Sequence, residues 1–181
     1  MINFISVLLT AISLSMDAFS LSILYGTLNL DKRKTLTLAL TVGVFHFFMP
    51  LIGHFIGLSI LTFLPINPNI LVGLIFFVIA IQMFYSSFKT EELVDLKSLM
   101  AIIVFAFTVS IDSFSVGIGL SAISNSKILS VSIFSLTSFA FTYIGLNLGG
   151  RLNKYFESVS TIIGSIILLA LSIMYLFFYN A

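Results

Sequence analysis

The nine-residue stretch SMDAFSLSI at positions 15–23 decides the fold of this chain, because it places an aspartate in the middle of an apolar run. The run covers positions 4–28, which is long enough for an α-helix to cross a bilayer. A related stretch, SIDSFSVGI, occupies positions 110–118, and five of its nine residues are identical to the first when the chain is shifted by 95 positions. Two apolar runs therefore carry an aspartate at equivalent places.

The composition of the whole chain is typical of a membrane protein. Of its 181 residues, 59% are hydrophobic and only 8% are charged, whereas soluble domains carry about 25% charged residues. Disordered chains are also polar and charge-rich, so the same figures exclude disorder. The net charge of +1 offers no basic surface for nucleic acid. Because the chain has no cysteine, disulfides, thiolate metal sites and cysteine nucleophiles are excluded.

Hydropathy predicts an all-α integral membrane protein with six transmembrane helices, forming a single membrane domain over residues 1–181. The apolar runs are continuous rather than alternating, which favours helices over the strands of a membrane β-barrel. The first run lacks a basic start and a small-residue cleavage site, so we expect a retained span rather than a signal peptide. The predicted helices cover positions 4–28, 35–63, 70–88, 98–123, 128–148 and 158–179.

The basic residues predict the orientation of these helices. Seven of the eight lie in predicted loops one, three and five, and only Lys127 lies on the other side. The positive-inside rule places loops one, three and five in the cytoplasm and both termini outside. The seven residues are Lys32, Arg33, Lys34, Lys89, Lys97, Arg151 and Lys154.

The halves 1–90 and 97–181 are predicted to form two inverted three-helix repeats. Besides the aspartate motif, a GxxxG motif at 53–57 matches a second one at 145–149 when the chain is shifted by 92 positions. Each half has an odd number of spans, so the second half is upside down relative to the first. Transporters use inverted repeats and bind their substrate near mid-membrane at the repeat interface. The two GxxxG motifs themselves are expected to be helix-packing faces.

Asp17 and Asp112 are the candidate centre of function. A charge at the middle of a bilayer costs at least about 2.5–3.5 kcal/mol, and neither predicted span contains a lysine or arginine to compensate it. Each carboxyl group must therefore be protonated, solvated in a cavity or bound to a cation. The alternative is a structural role, in which each aspartate ties helices together through serine and threonine hydrogen bonds.

Hydroxyl residues at helical spacing accompany both aspartates and suggest a metal site. Carboxylates, hydroxyls and backbone carbonyls are hard oxygen ligands, which suit Mn²⁺, Mg²⁺ or Ca²⁺. Two nearby carboxylates would exchange a proton for a metal ion, which predicts a proton-linked cycle. The candidate ligands are Asp17, Asp112, Ser13, Ser20, Thr108, Ser115 and His46.

Three further polar residues in the spans have open assignments. His46 is central enough to act as a metal ligand or proton relay, but an interhelical hydrogen bond is an equally good interpretation. Gln82 and Asn147 are predicted to join helices by hydrogen bonds rather than to bind the substrate.

Three segments together resemble the MntP family of manganese efflux pumps. They are the SMDAF motif at 15–19, the MPLIG motif at 49–53, and the SID motif at 110–112 followed by VGIGL at 116–120. The resemblance covers essentially the whole chain. It implies export of Mn²⁺ from the bacterial cytoplasm across the plasma membrane, with Asp17 and Asp112 as the central acidic residues. The chain departs from the family pattern at five expected cavity positions, which are His46, Gln82, Ser86, Ser113 and Ser115.

The expected function is that of a transporter, not an enzyme. It has a divalent metal ion as its substrate, membrane lipid as its surroundings and no cofactor. The alternatives are an exporter of another divalent cation or of a small solute such as an amino acid, and a non-transporting membrane assembly protein. An ATP-driven pump is excluded because the chain has no Walker motif. The oligomeric state is open, a homodimer included.

Overall fold

The computed structural model describes residues 2–28, 30–63, 66–89, 96, 98–123, 126–149, 151 and 154–178, and every regular element among them is helical. Five of these helices are long and apolar enough to cross a membrane, and two shorter ones supply a sixth span when counted together. The predicted all-α membrane fold is confirmed, and the chain is a multi-pass membrane protein. The helices are α1 (Ile2–Gly26), α2 (Lys32–Phe63), α3 (Pro68–Ser86), α4 (Leu99–Val109), α5 (Ile111–Ile123), α6 (Lys127–Leu148) and α7 (Lys154–Ile173), with a π-helical turn over Met174–Phe178.

The fourth span differs from its prediction, because it is not one helix. The continuous helix expected over 98–123 is divided at Ser110 into α4 and α5, which meet at a bend of 42°. Ser110 has φ −101° and ψ 3°, and its backbone N–H donates to the carbonyl of Phe107 at 3.1 Å. Its hydroxyl donates to the carbonyl of Ala106 at 2.7 Å. Serine side chains that bond back to the preceding turn in this way often bend helices.

Side-chain caps fix where α3 and α4 begin. The side chain of Asn67 accepts a hydrogen bond from the backbone N–H of Asn69 at 2.9 Å, and Pro68 occupies the first helical position. The hydroxyl of Ser98 accepts from the backbone N–H of Ala101 at 3.0 Å. Each cap satisfies an N–H group that the first turn of a helix leaves unpaired.

Large apolar side chains cover the outside of the bundle, while small and hydroxyl side chains occupy much of its interior. Phe63, Phe177 and Phe178 are among the many exposed aromatics, whereas numerous serines and threonines are fully buried. Helices in lipid associate through close packing of small residues, because lipid is as apolar as the core. Larger side chains such as Phe76 and Phe134 fill one main core cluster.

The first GxxxG motif brings α2 against α5 with their backbones in contact. A Cβ atom on Gly53 would clash with the carbonyl of Phe114 and lie 3.1 Å from the Cα of Gly117. A Cβ atom on Gly57 would clash with the carbonyl of Ile118. The expected packing role of this motif is confirmed.

The second GxxxG motif brings α6 against α1 in the same manner. A Cβ atom on Gly145 would lie 2.8 Å from the carbonyl oxygen of Phe19 and 2.7 Å from the Cβ of Ser22. A Cβ atom on Gly149 would clash with the carbonyl of Ile23. These contact residues on α1 lie 95 positions before their counterparts on α5, and both glycines lie 92 positions after theirs on α2. The two halves therefore use equivalent residues for equivalent helix contacts.

Candidate functional site

Asp17 and Asp112 line one cavity, although they lie 95 residues apart in the chain. The cavity has a volume of about 280 Å³ and lies between α1, α3, α4, α5 and α7. Its volume is that of several water molecules, so an ion and part of its hydration shell fit inside. The fold thus brings the two copies of the repeated motif to a common space within an apolar bundle.

Asp17 enters this cavity from an intact helix. It lies two-thirds of the way along α1, which is continuous from Ile2 to Gly26. Its side chain is half-buried, and Ser20, one turn further on, lines the same cavity. The spacing of three residues predicted this shared face.

Asp112 enters from the broken span. It occupies the first turn of α5, immediately beyond the bend at Ser110. The positive end of a helix dipole favours a carboxylate at this position. Helices interrupted at mid-membrane form the substrate sites of many transporters. No proline or glycine marks this break, so sequence reasoning missed it.

The predicted hydroxyl ligands lie in three different places. Ser20 and Thr108 line the cavity with the two aspartates. Ser115 instead lines a separate groove of about 300 Å³ between α3 and α5, which it shares with Asp112. Ser13 lines neither space, because it is fully buried and its hydroxyl donates to the carbonyl of Leu9 at 2.8 Å.

His46 lies outside the cavity and joins α2 to the break in span four. Its Nδ1 atom lies 2.9 Å from the hydroxyl oxygen of Ser110 and 3.0 Å from the carbonyl oxygen of Val42. Because a carbonyl oxygen only accepts, Nδ1 carries the hydrogen and shares it between the two oxygens. Of the two interpretations of His46, the structure places it in the helix-joining arrangement.

The sequence left Gln82 open between a helix-joining role, which it favoured, and a cavity role. Gln82 lies on α3 and lines both the main cavity and the separate groove. Ser86, one turn later, also lines the cavity. The repetition of polar residues four apart in an otherwise apolar helix was the available signal. Asn147, which had the same assignment, is exposed and bonds to the carbonyl of Tyr143 at 2.6 Å.

The remaining polar lining residues lie towards one end of the bundle. Ser87 and Lys89 follow α3, and Ser158 and Thr161 belong to the first two turns of α7. These chain ends adjoin predicted loops three and five. The cavity therefore extends from the aspartates towards the side on which most basic residues lie. Glu91, Glu92, Asp95 and Lys97 of loop three lie outside the described residues.

The side chains that could bind a metal ion in this cavity offer oxygen atoms, and only two of these side chains are carboxylates. In the part of the chain that the structure describes, no group of three or more histidine, cysteine, aspartate or glutamate residues is placed to hold a metal ion. The cavity instead offers two carboxylates, the amide of Gln82 and several hydroxyls. Such a set suits a hard divalent ion that keeps part of its water, and it is poor for an ion that prefers sulfur.

Comparison with known proteins gives a consistent result. A family model described as "Putative manganese efflux pump" matches residues 29–176 of the chain. A relative of that name from Bacillus pumilus is 34% identical, covering 92% of this chain and 91% of the relative. One from Geobacillus thermodenitrificans is 34% identical over 96% and 95%, and one from the archaeon Methanosphaera stadtmanae is 31% identical over 92% and 95%. No solved structure matches the chain.

Proposed function

The chain belongs to the MntP family of manganese efflux pumps, and from this membership we propose that it exports Mn²⁺ from the cytoplasm through the cavity between Asp17 and Asp112. A member of this family is a transporter rather than an enzyme. One observation carries the proposed site: two carboxylates from equivalent positions of the two halves share one cavity in an apolar bundle.

The chemistry of the cavity supports a divalent cargo. Two carboxylates that line one cavity repel one another, and either a proton or a divalent cation relieves this repulsion. The two therefore compete, so entry of the metal ion releases a proton and return of a proton favours release of the metal ion. Asp17 and Asp112 bind the ion in this scheme, and Ser20, Thr108 and Gln82 complete its shell together with water.

In this proposal, the position of the basic residues determines the side of the membrane to which the cavity opens. With loops one, three and five in the cytoplasm, the end near Lys89 and Ser158 faces inwards, and both termini face out. The described conformation then has its cavity open to the cytoplasm, ready to receive the exported ion. We expect the protein in the bacterial plasma membrane, surrounded by lipid, with no nucleic-acid partner; a homodimer stays among the open assembly states.

We further propose that 1–90 and 97–181 are inverted repeats that exchange conformations during transport. The equivalent glycine contacts of α2 with α5 and of α6 with α1 support this relation. So does the hydrogen bond from the Ser135 hydroxyl to the carbonyl of Gly43 at 2.8 Å, which joins two residues 92 positions apart. A contact between a residue and its own counterpart is expected where a two-fold axis crosses the bundle.

Cells provide the direct test of export. Bacteria that lack their own manganese exporter are grown in excess Mn²⁺ with the wild-type chain, Asp17→Asn or Asp112→Asn, and their metal content is measured by elemental analysis. We expect the wild type to lower intracellular manganese, and each variant to leave it at the level of the empty vector. Repeating the measurement under Fe²⁺, Zn²⁺ and Ca²⁺ stress reports the ion preference.

Asp31→Asn is the matched control, because it neutralises an exposed aspartate between α1 and α2. It is expected to export as well as the wild type. Export by both cavity variants at wild-type membrane levels would overturn the proposed site. In proteoliposomes, a Mn²⁺ gradient that moves no protons would overturn the proton coupling alone.

A second candidate cargo is a small zwitterion such as an amino acid, and the position of Lys89 favours it. The cavity is lined by the two carboxylates and by Lys89, which follows α3. An ammonium group could pair with the former and a carboxylate with the latter. Uptake of labelled amino acids into inside-out vesicles that is lost in Lys89→Gln would support this cargo, whereas Mn²⁺ uptake that survives Lys89→Gln supports the metal.

A further inference from the structure

Two serines at equivalent positions make equivalent hydrogen bonds in the two halves. The hydroxyl of Ser110 donates to the carbonyl of Ala106 at 2.7 Å, and its oxygen lies 2.9 Å from Nδ1 of His46. The hydroxyl of Ser15 donates to the carbonyl of Ala11 at 2.7 Å, and its oxygen lies 3.2 Å from the hydroxyl of Ser138. Ser15 and Ala11 lie 95 positions before Ser110 and Ala106, and Ser138 lies 92 positions after His46.

These positions are buried, so no solvent competes for the contacts. Ser15, Ser110 and Ser138 have no exposed surface, and His46 is 1% exposed. Each contact joins the aspartate-bearing span of one half to the second span of the other half. Ser15 and Ser110 each lie two residues before the cavity aspartate of their own span. In span four, this serine lies at the break between α4 and α5.

The helices through the two serines nevertheless differ. Span four bends by 42° at Ser110, where the partner is the imidazole of His46. Span one continues as a helix through Ser15, where the partner is the small hydroxyl of Ser138. Two contacts of these serines differ between the halves. One is the second-span partner, and the other is the hydroxyl of Ser113, which donates to the carbonyl of Ser110 at 2.6 Å and has Ala18 as its counterpart.

We propose that Ser15 and Ser110 are the two hinges of the transport cycle, and that His46 and Ser138 are positioning residues that decide which hinge is bent. In the outward-open conformation, α1 bends at Ser15 while α4 and α5 straighten into one helix. The bend at Ser110 moves the α4 half, which precedes Asp112 and borders the inner cavity. Because the halves are inverted, a bend at Ser15 moves the part of α1 that precedes Asp17 and opens the opposite side. This inference rests on the inverted repeats and the export cycle proposed above.

Exchanging the two partners tests the proposal directly. The double variant His46→Ser/Ser138→His gives each hinge the partner of the other. Because the chain contains no cysteine, Ser158→Cys places a single thiol in the inner cavity. Gly73 and Met83 of the third span match Gly164 and Met174 of the sixth when the chain is shifted by 91 positions, so Ile70→Cys places a single thiol at the counterpart of the cavity residue Thr161. Protein in lipid nanodiscs without Mn²⁺ is reacted with a hydrophilic maleimide, which reaches both faces.

The exchange is expected to slow the reaction of Ser158→Cys about fivefold and to speed that of Ile70→Cys, since one buried hydrogen bond changes a conformational equilibrium by about this factor. Asp31→Cys, an exposed thiol outside the cavity, serves as the control and should react at the same rate in both backgrounds. Unchanged rates at all three thiols in a protein that elutes as a monodisperse species would overturn the proposal.

A milder substitution covers the case in which the exchanged protein does not fold. Ser15→Ala removes the hinge contact of span one and should hold the cavity open inwards, so Ser158→Cys reacts at least as fast as in the wild type while Mn²⁺ efflux falls. Ser160→Ala is the control, because Ser160 is another buried serine that bonds to the preceding turn. It should leave the reaction rate of Ser158→Cys and the Mn²⁺ efflux unchanged. Equal efflux from the two variants would overturn the hinge at Ser15. The thiol reaction rates are measured without metal, so they test the hinge proposal independently of export. The hinge proposal can therefore fail while the proposed Mn²⁺ export is upheld, and the reverse is equally possible.

Discussion

Spans one and four carry the same motif, yet one is a continuous helix and the other is broken. Both place a serine two residues before an aspartate, and both aspartates line the central cavity. The shared serine–aspartate spacing therefore does not decide whether the span breaks. Two differences accompany the break: the second-span partner is His46 rather than Ser138, and Ser113, which donates to the carbonyl of Ser110, replaces Ala18. In the hinge proposal, the second-span partner is the physical basis on which the halves take different conformations.

If the two halves are inverted repeats, as proposed above, the difference between spans one and four explains how such a chain leaves its site open at one end. If both spans were straight or both were bent, the two sides of the membrane would be equivalent and the site would be closed or leaking at both. A transporter needs one side open at a time, so the halves must differ at every moment. The comparison of the two spans can be tested at four levels.

The largest effect is expected at the aspartates, whose equivalence is the strongest part of the comparison. Asp17→Asn and Asp112→Asn should each reduce the rate of Mn²⁺ efflux from proteoliposomes about tenfold or more, because losing a charged partner removes about 1.5–3 kcal/mol. The double variant should be little worse than either single one, since both ligands hold one ion. A double variant whose loss is the product of the two single losses would indicate separate ion sites.

The helix contacts should be equally sensitive in the two halves. Gly53→Ala and Gly145→Ala are each expected to lower stability by about 1–3 kcal/mol, because the added methyl group meets the backbone or Cβ of a facing helix. Thermal unfolding in detergent measures the loss. Gly119→Ala is the control, since the nearest atoms to its Cβ would be 3.7 Å away. A loss in only one half would break the structural equivalence of the glycine motifs.

Gln82 should have a moderate and one-sided effect. At the shift of 91 positions its counterpart is Ile173, so the second half has no amide at the equivalent position. Gln82→Ala is expected to raise the half-saturating Mn²⁺ concentration about threefold, as loss of one neutral ligand costs about 0.5–1.5 kcal/mol. Asn147→Ala, at an exposed amide outside the cavity, should leave transport kinetics unchanged. Equal effects of the two would place Gln82 among purely structural residues.

The smallest effect is expected at Lys89. Its positive charge in the cavity lining opposes entry of a cation, so Lys89→Gln should lower the half-saturating Mn²⁺ concentration about twofold at low ionic strength. The difference should vanish at high salt, because exposed charges are screened. Arg151→Gln, outside the cavity lining, should show neither effect in the same flux measurement. A change at Arg151 as large as that at Lys89 would mean that net surface charge, rather than the cavity, is being measured.

Much of the fold was predictable because membrane insertion depends on simple properties. Apolar length located the spans to within a few residues, and caps such as Asn67 and Ser98 lie where polar residues interrupt these runs. The repeated motif identified Asp17 and Asp112, whose energetic cost in lipid makes them conspicuous. The glycine pairs were predictable because only close helix contact explains them in an apolar span.

The break at Ser110 and the roles of its neighbours were not predictable from local sequence. Hydropathy does not report whether a helix bends. The same serine–aspartate spacing also occurs at Ser15 and Asp17, where the helix is unbroken. His46 was ambiguous because its partner, Ser110, lies 64 residues away in the chain. Gln82 was left open because an amide serves equally well between helices and in a cavity. In each case the missing information was which helices become neighbours.

The glycine contacts have a consequence for how the chain can be divided. In each half, the motif that allows the closest helix approach fits the first span of the other half, so the halves are interlocked as two partners in a domain-swapped dimer are. Polypeptides ending near residue 89 and starting near residue 98 would each lack the surface that covers their glycines. Produced separately they should be degraded, and produced together they should reassemble. A single ancestral half that inserted in both directions would have formed the same structure from two identical copies.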